Sequence, residues 1–295
     1  MLPLVSVICI CFNHERFVEK AVNSVLKQTY KNIELIVIDN GSTDNSFSVI
    51  QKICQQHPEI HLLHFPETLS ITKAFNIGFE YTKGRFLIDL SADDVLLEDG
   101  IAKQVAFFLE QSEHVGLIFG NAYHIDKNGQ RTAPFFEVNQ VNKVIDKSLF
   151  EVNYKKLLEG GLTMCSVSSM FTRKHFELLN RYDEDLFFED LDFWLRLSLN
   201  YEIQFLDDFV VEKRFIKDSL GNQFHKNNTF SKKINHSLRQ IYKDSLKRNK
   251  HVQEHRALLK RIHYSMDQSF TNRLWLDLIK FTWLELLCRY YILFK

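Results

Sequence analysis

Three groups of acidic and amide side chains stand where apolar runs of the sequence end. They are Asn13, the loop Asp39–Asp44 and the segment Ser91–Asp94. Helix capping does not require two neighbouring carboxylates, so the repulsion between Asp93 and Asp94 indicates a bound cation. A hard divalent cation such as Mg²⁺ suits these oxygen ligands. For Ser42 and Asp44 taken singly, a role as turn or N-cap residues is an equally good interpretation.

A further acidic group lies later in the chain, where acids alternate with large aromatic side chains. Its members are Asp183, Glu184, Asp185, Glu189, Asp190 and Asp192. Phe187 and Phe188 would hold Glu189 and Asp190 partly buried at the start of a helix, and a carboxylate in that setting can act as a general base. A solvated acidic face is the alternative interpretation of this segment.

The elements that must bring these groups together alternate between strand and helix. Apolar runs predict strands at Val5–Ile10, Ile33–Ile38, Ile60–Phe65, Phe86–Leu90 and Val115–Tyr123, and helical spacing predicts helices over Phe17–Leu26, Val49–Ile53 and Leu69–Tyr81. Lys127–Gly129 predicts a hairpin turn, and further helices are expected from Lys174 and around Phe193–Leu195. This order predicts an α/β fold with a mostly parallel sheet and helices on both faces. Ligands bind such sheets beyond the carboxyl ends of the strands, where the first three groups fall.

Several blocks of the sequence, in order and correctly spaced, carry a resemblance. They are the opening segment 3–50, Ala74–Gly78 with Lys83–Phe86, Ser91–Asp94 and Phe188–Leu197. Together they resemble a family 2 glycosyltransferase over residues 3 to about 215. The resemblance implies the GT-A fold and an inverting transfer of a sugar from a nucleotide-diphosphate donor to a hydroxyl.

The resemblance also implies a donor pocket. Asp39 would accept a hydrogen bond from the ring nitrogen of a uracil-type base, with Phe12 and Asn13 lining the nucleotide pocket. Lys73 is a candidate cation beside the donor phosphates, although a surface lysine in an ion pair is an equally good interpretation. Which sugar and which nucleotide are used stays open.

The same resemblance implies a metal ligand and a general base. Asp93 would bind Mg²⁺ or Mn²⁺ bridging the donor diphosphate, with Ser91 or Asp94 as its helper. Asp190 would deprotonate the acceptor hydroxyl, and its neighbour Glu189 is the second candidate for that role.

The sequence departs from the family pattern at two sites that matter. Ser91 replaces the first acid of the Asp-x-Asp metal motif, and the late Arg-x-His block reads Arg214-Phe215-Ile216. His225 is a candidate replacement for the missing histidine. These departures leave open a catalytically weak scaffold or binding protein in a polysaccharide assembly complex.

The charge of the chain is divided unevenly along its 295 residues. Residues 226–263 contain eleven Lys and Arg against two acids, whereas residues 1–225 carry a net charge of −10. We therefore expect a catalytic domain over 1–225 and a helical extension over 226–295. The basic segment contains no recognisable nucleic-acid module, and the acidic body would repel phosphate backbones. A sugar-1-phosphate nucleotidyltransferase is disfavoured because its Gly-rich loop after the first strand is missing.

The segment Leu274–Lys295 is apolar and aromatic, but charges at Asp277, Lys280, Glu285 and Arg289 interrupt it. It therefore predicts a helix in the interface of an anionic membrane, with Trp and Tyr at headgroup level. Packing on the catalytic body or on a second subunit is the alternative, so a homo-oligomer stays open. Five scattered cysteines and a first segment that resembles a strand rather than a signal peptide predict a cytoplasmic, peripheral protein. The acceptor would then be a saccharide or a lipid-linked saccharide, as in surface polysaccharide biosynthesis.

Overall fold

The structure is a computed structural model that describes residues 2–161, 164–187, 189–215 and 226–294, with no account of the Glu189 side chain. The strands are β1 Val5–Cys11, β2 Ile33–Asn40, β3 His61–Phe65, β4 Phe86–Ser91, β5 Val95–Leu96, β6 Val115–Ile125, β7 Arg131–Pro134, β8 Ser169–Thr172 and β9 Glu202–Arg214. They form one sheet in the order β3-β2-β1-β4-β8-β6-β9-β5, with β7 paired to β6. The first four positions of that order are parallel, as the sequence predicts.

The helices cover this sheet and then continue beyond it. They are α1 Val18–Leu26, α2 Ser46–Gln56, α3 Ile71–Phe79, α4 Gly100–Leu109, α5 Tyr154–Glu159, α6 Arg173–Leu178, α7 Glu189–Leu197, α8 Thr229–Arg248, α9 Val252–Thr271 and α10 Trp275–Phe294. The helix predicted over Leu69–Tyr81 is shorter than expected, because the Ser70 hydroxyl caps its first turn by accepting from the Lys73 backbone N–H at 3.3 Å. The predicted hairpin is the β6–β7 turn, where Gly129 adopts a φ of 87°.

Three strands of the second half of the sheet were not predicted, namely the two-residue β5, β8 and β9. β8 is a four-residue strand that pairs antiparallel with both β4 and β6, and its short stretch of small and apolar residues gives no period to detect. β9 pairs parallel with β6 over most of its length, with several irregularities in register. Its acids and cations interrupt the apolar pattern by which a buried strand is recognised.

An aromatic cluster fixes α7 on the sheet. Its members are Phe75 of α3, Phe171 of β8, Phe176 of α6, Tyr182 and Phe193 of α7. The ring of Phe176 lies 5.0–5.6 Å, centroid to centroid, from the other four. Edge-on packing at these separations adds specific attraction to the burial of apolar area. The cluster thus sets the position of the acid-bearing helix relative to the strands.

The C-terminal helices α8 and α9 contact the sheet-containing body through side-chain hydrogen bonds. The backbone N–H of Phe187 donates to the Ser237 hydroxyl of α8 at 2.7 Å. Arg261 of α9 donates to the carbonyl groups of Leu157 and Leu158 at the end of α5, at 3.0 and 3.1 Å. Cations at the C-terminus of a helix are favourable, so part of the basic segment neutralises this end of α5. One face of α10 packs on α8 and α9, the other two helices of the extension.

No helix among the residues that the structure describes has both the length and the apolar character to cross a bilayer. All five cysteines are free thiols, as the scattered spacing predicts.

Replacing Phe176 by Ala should destabilise the fold by about 3–5 kcal/mol, since it opens a cavity inside the aromatic cluster. Equilibrium unfolding in urea measures this loss. Leu178, on the same helix but 58% exposed, provides the control, and Leu178→Ala should cost less than about 1 kcal/mol. Equal losses in the two variants would contradict the assignment of the cluster as the anchor of α6 and α7.

Candidate functional site

The loops after β1 and β2 are tied together by Asn13. Its backbone has a φ of 56°, its N–H donates to the Ser42 hydroxyl at 3.0 Å, and its side-chain oxygen accepts from the Thr43 N–H at 2.7 Å. Asn tolerates this left-handed conformation better than most residues, which explains its position in the loop. Phe12, which precedes it, is 44% exposed. Asn13 therefore shapes this edge of the sheet, and Phe12 presents an exposed aromatic ring there.

Asp39 lies at the end of β2 and is fully buried. Its Oδ2 atom lies 3.0 Å from Nδ1 of His64, and the Ser42 N–H donates to the same oxygen at 3.4 Å. Its Oδ1 atom is buried and has no hydrogen-bond partner among the residues that the structure describes. A buried acceptor without a partner is costly, so this oxygen suits a ligand N–H.

The sheet register places two of the predicted ligand-binding groups, Asp39 and the Ser91–Asp94 turn, at the same edge of the sheet. Asp39 pairs with Cys11 on one side of β1, and Ser91 pairs with Ile10 on the other side. Two strand spacings separate them, a distance of about 10 Å. Both lie at the carboxyl ends of their strands, where the sequence predicts the cleft.

The segment Ser91–Asp94 turns sharply after β4. The Ser91 hydroxyl donates to Oδ1 of Asp93, which stays partly exposed. Asp94 is buried, and its Oδ1 accepts from the Arg214 N–H at 2.7 Å. Burial, followed by the charge of Asp93, raises the pKa of Asp94 to about 8. Ser91 therefore orients Asp93, whereas Asp94 connects this turn to β9.

Arg214, the arginine of the late Arg-x-His block, binds the Ser91–Asp94 turn through its side chain. Its Nε donates to the backbone carbonyl of Asp93 at 2.8 Å, and a terminal nitrogen donates to the carbonyl of Asp126 at 2.7 Å. Its guanidinium carbon lies 4.5 Å from the ring centroid of Phe17. Arg214 thus fixes the backbone that presents Asp93. His225 lies outside the described residues.

Asp190 is the second residue of α7. Burial raises its pKa, whereas the Leu191 N–H, which donates to its Oδ1 at 2.6 Å, and the charges of Lys213 and Arg261 lower it. A carboxylate shifted in this way is suited to accept a proton. The side chain of its neighbour Glu189 lies outside the described residues, so its candidacy stays a prediction.

Two charged residues of this region were missed by the sequence analysis. Asp89 lies within β4, and burial followed by the charge of Asp190 raises its pKa to about 7. Lys213 of β9 lies opposite His124 of β6, with its ammonium 5.1 Å from the Phe135 ring centroid. Its charge lowers the pKa of both Asp94 and Asp190, so one cation acts on an acid of the turn after β4 and on an acid of α7. An acid inside an otherwise uncharged strand is the signal that could have identified Asp89.

Lys73, the predicted phosphate-binding cation, lies exposed on α3. Its backbone N–H contributes to the cap of that helix, and its side chain forms no ion pair among the residues described. Its role beside the donor stays a prediction.

The residues present fit a divalent cation that is shared with a ligand. The described residues contain no group of three or more His, Cys, Asp or Glu side chains that could hold a metal alone. Mg²⁺ and Mn²⁺ need only one or two protein carboxylates when phosphate oxygens and water complete the shell. Asp93, with the Ser91 hydroxyl beside it, supplies such a hard-oxygen site, and Asp94 as a direct ligand stays a prediction.

Comparison with known sequences identifies one family. The sequence model described as "Glycosyl transferase family 2" matches residues 6–179. An uncharacterized glycosyltransferase of Haemophilus influenzae is 32% identical over 160 residues, which are 54% of this chain and 59% of that protein. One of Methanocaldococcus jannaschii is 28% identical over 216 residues, 72% of this chain and 71% of that protein. Glycosyltransferase GlyG of Streptococcus pneumoniae is 30% identical over 128 residues, 43% of this chain and 42% of its own length. The chain thus spans less than two thirds of the length of the Haemophilus influenzae protein and of GlyG.

Two solved structures share the fold. Staphylococcus aureus TarS 1–349, solved in complex with UDP-GlcNAc, superposes with a TM-score of 0.65 at 17% identity, over 91% of this chain and 73% of that chain. The mannosyltransferase PcManGT of Pyrobaculum calidifontis, solved with GDP-Man and Mn²⁺, gives a TM-score of 0.60 at 15% identity, over 100% and 88% of the two chains. The α/β architecture of this chain is of the GT-A type.

Replacing Asp89 by Asn should make the stability of the protein less dependent on pH. The pKa of Asp89 is raised from about 4 in the unfolded chain to about 7, so its favourable contribution is complete below pH 4 and is lost as the pH rises through 7. The variant should therefore gain about 2–4 kcal/mol over the wild type at pH 8 and little at pH 4. Urea unfolding at the two pH values measures the difference.

Asp267→Asn, at an exposed position, serves as the control and should follow the wild type at both pH values. If Asp89→Asn follows it as well, the raised pKa of Asp89 is wrong.

Proposed function

The chain belongs to glycosyl transferase family 2, and we propose that it moves a sugar from a nucleotide-diphosphate donor to an acceptor hydroxyl with inversion. The observation that carries this proposal is the sheet register around β1. It sets the unpartnered oxygen of Asp39 on one side of that strand and the Ser91–Asp94 turn on the other. A nucleotide base and its diphosphate need recognition by groups separated in this way.

The donor pocket rests on Asp39 and the first loop. Oδ1 of Asp39 would accept from a ring N–H of the base, which relieves a buried acceptor of its missing partner. The exposed ring of Phe12 would line the pocket next to Asn13. TarS and PcManGT were solved with UDP-GlcNAc and GDP-Man, respectively, which supports a nucleotide-sugar as the donor class.

The leaving diphosphate would be held at the Ser91–Asp94 turn. Asp93 would bind Mn²⁺ or Mg²⁺, with Ser91 orienting its carboxylate, Asp94 as a further candidate ligand and Lys73 as a candidate cation near the phosphates. When bound, the metal supplies positive charge that offsets the charge of the departing diphosphate. PcManGT was solved with Mn²⁺, which supports this choice of metal.

The acceptor hydroxyl would be activated by Asp190. The acceptor oxygen attacks the anomeric carbon of the donor as the bond from that carbon to the diphosphate breaks. The proton of the acceptor hydroxyl passes to the carboxylate of Asp190. The charges of Lys213 and Arg261 favour the ionised form that this step needs. Attack on the side opposite the leaving group gives inversion, and Glu189 is the second candidate for the base.

The acceptor would be a saccharide or a lipid-linked saccharide in surface polysaccharide biosynthesis. In this proposal the protein works at the cytoplasmic face of a membrane as a peripheral protein. The basic charge of residues 226–263 supports that location, because anionic lipid attracts Lys and Arg near its surface.

A catalytically weak scaffold of a polysaccharide assembly complex is the second candidate. The serine at position 91, where the family's metal motif has an acid, favours it. Sugar transfer or donor hydrolysis in the presence of Mn²⁺ separates the candidates, because a scaffold gives neither.

Asp190→Asn should abolish transfer while donor affinity changes less than about twofold, because only proton acceptance is lost and the amide oxygen can still accept from the Leu191 N–H. The loss should reach about 10²–10⁴-fold in turnover with a panel of nucleotide-sugars and acceptors. Asp185→Asn, an exposed acid in the preceding segment, should leave turnover unchanged. Full activity of Asp190→Asn would remove Asp190 from the role of base.

Asp93→Asn should weaken metal-dependent donor binding by about 10–100-fold, because it removes the carboxylate that faces the diphosphate. Titration calorimetry with a nucleotide-sugar, with and without Mn²⁺, measures the change. Glu98→Gln, exposed in the following turn, is the matched control. The metal assignment fails if Mn²⁺ enhances donor binding equally in wild type and Asp93→Asn.

A further inference from the structure

Helix α10 presents a row of exposed apolar side chains along its whole length. The row consists of Leu276, Ile279, Trp283, Leu286, Tyr290 and Leu293, which are 57–74% exposed. Their spacing alternates between three and four residues, so they lie on one face of the helix. Trp275, Leu287 and Phe294 widen this row, and we call the nine residues the outer face of α10.

The opposite face of α10 is already fully engaged within the protein. Phe281, Leu284 and Cys288 are buried against the neighbouring helices. The carboxylate of Asp277 accepts from the side chains of Asn235, at 3.1 Å, and Arg239. Because the inner face has its partners, the outer face is a surface of the packed protein.

Charge is distributed on α10 in a regular way around this face. At 100° per residue, the nine side chains fall within an arc of about 120° that contains no charged residue. Lys280 borders the arc on one side, and Arg273 lies in the turn just before the helix. Arg289 borders the arc on the other side, where it forms an ion pair with Glu285. An uncharged apolar face bordered by cations matches the anionic surface and acyl boundary of a lipid bilayer.

We propose that the outer face of α10 docks on the surface of an anionic lipid bilayer, with the helix lying along the membrane plane. Leu276, Ile279 and Leu293 would enter the acyl boundary, and Lys280 would meet lipid phosphates. This inference concerns attachment and does not require that the proposed transfer chemistry be correct, although it would bring the enzyme to a lipid-linked acceptor.

The polar atoms of the aromatic residues favour a bilayer over a second copy of the chain. The indole N–H groups of Trp275 and Trp283 and the hydroxyl of Tyr290 have no hydrogen-bond partner among the described residues. At headgroup level these atoms meet phosphates and water while their rings stay in an apolar layer. In a seam between two copies of α10 the same atoms would leave water, and the apolar side chains that surround them on this face offer no acceptor in exchange.

Sedimentation with vesicles tests the proposal on the full chain. Vesicles of phosphatidylglycerol and phosphatidylcholine should bind the protein, and pure phosphatidylcholine should bind it at least tenfold more weakly. The triple variant Leu276→Gln, Trp283→Gln, Leu293→Gln should lose vesicle binding by more than tenfold, since three apolar anchors are removed. Its fold should be intact because all three side chains are exposed. Leu178→Gln, equally exposed but on α6, is the matched control and should bind like the wild type.

Charge provides a second, independent variant. Lys280→Gln combined with Arg273→Gln should weaken binding to the anionic vesicles by about 25-fold, or fivefold for each cation, and should have little effect on zwitterionic vesicles.

Three outcomes overturn the proposal. The first is that the intact chain does not bind anionic vesicles, and the second is that the triple variant binds them as well as the wild type does. The third is that sedimentation velocity shows a dimer which the triple variant abolishes, while neither protein binds vesicles. Nucleotide-sugar binding measured on the same samples keeps this result separate from the proposed function, because a protein that binds donor but not vesicles refutes the docking alone.

Discussion

Carboxylates crowd the carboxyl end of β4, and the rest of the site is arranged around their mutual repulsion. Asp89, Asp93, Asp94 and Asp190 come from one strand, its following turn and a distant helix, and the pKa values of Asp89, Asp94 and Asp190 are raised. Acids brought this close together at partly or fully buried positions are unfavourable unless cations or protons offset their charge. Lys213 supplies one fixed positive charge beside two of them. A divalent cation and a proton to be accepted are the remaining charges that this group can use.

Elements far apart in the sequence hold these acids in place. The Asn76 side chain of α3 donates to the backbone carbonyl of Tyr182 at 2.9 Å and thereby fixes the segment that leads into α7. Arg214 of β9 fixes the turn that carries Asp93 through two hydrogen bonds, one to the Asp94 carboxylate and one to the Asp93 carbonyl. Positioning of this kind, by packed side chains and backbone contacts, is what a reacting geometry requires.

The C-terminal helices serve the body on one side and face outward on the other. A terminal nitrogen of Arg248 in α8 lies 3.6 Å from Oδ1 of Asp192 in α7. Arg261 of α9 donates to the carbonyl group of Leu157 at the end of α5, and its charge favours the ionised form of Asp190. The extension is therefore part of the electrostatic environment of the proposed base, and its basic composition has an internal purpose. The outer face of α10, in contrast, is exposed.

By itself, the sequence determined the parallel half of the sheet and the groups at its edge, because uncharged runs and polar breaks are local signals. The groups that contain Asp39 and Asp93 could be selected in this way, and the acids around Asp190 by their alternation with aromatic residues. The roles of the single residues came from the family resemblance, and the helical extension followed from its composition. Only the tertiary structure decided that Asp94 binds the backbone of β9, that Lys213 lies among the acids, and that β8 enters the sheet antiparallel. These depend on residues from separate parts of the chain, such as Asp94 and Arg214, which are 120 positions apart. Such contacts arise from packing and electrostatics that no local pattern records.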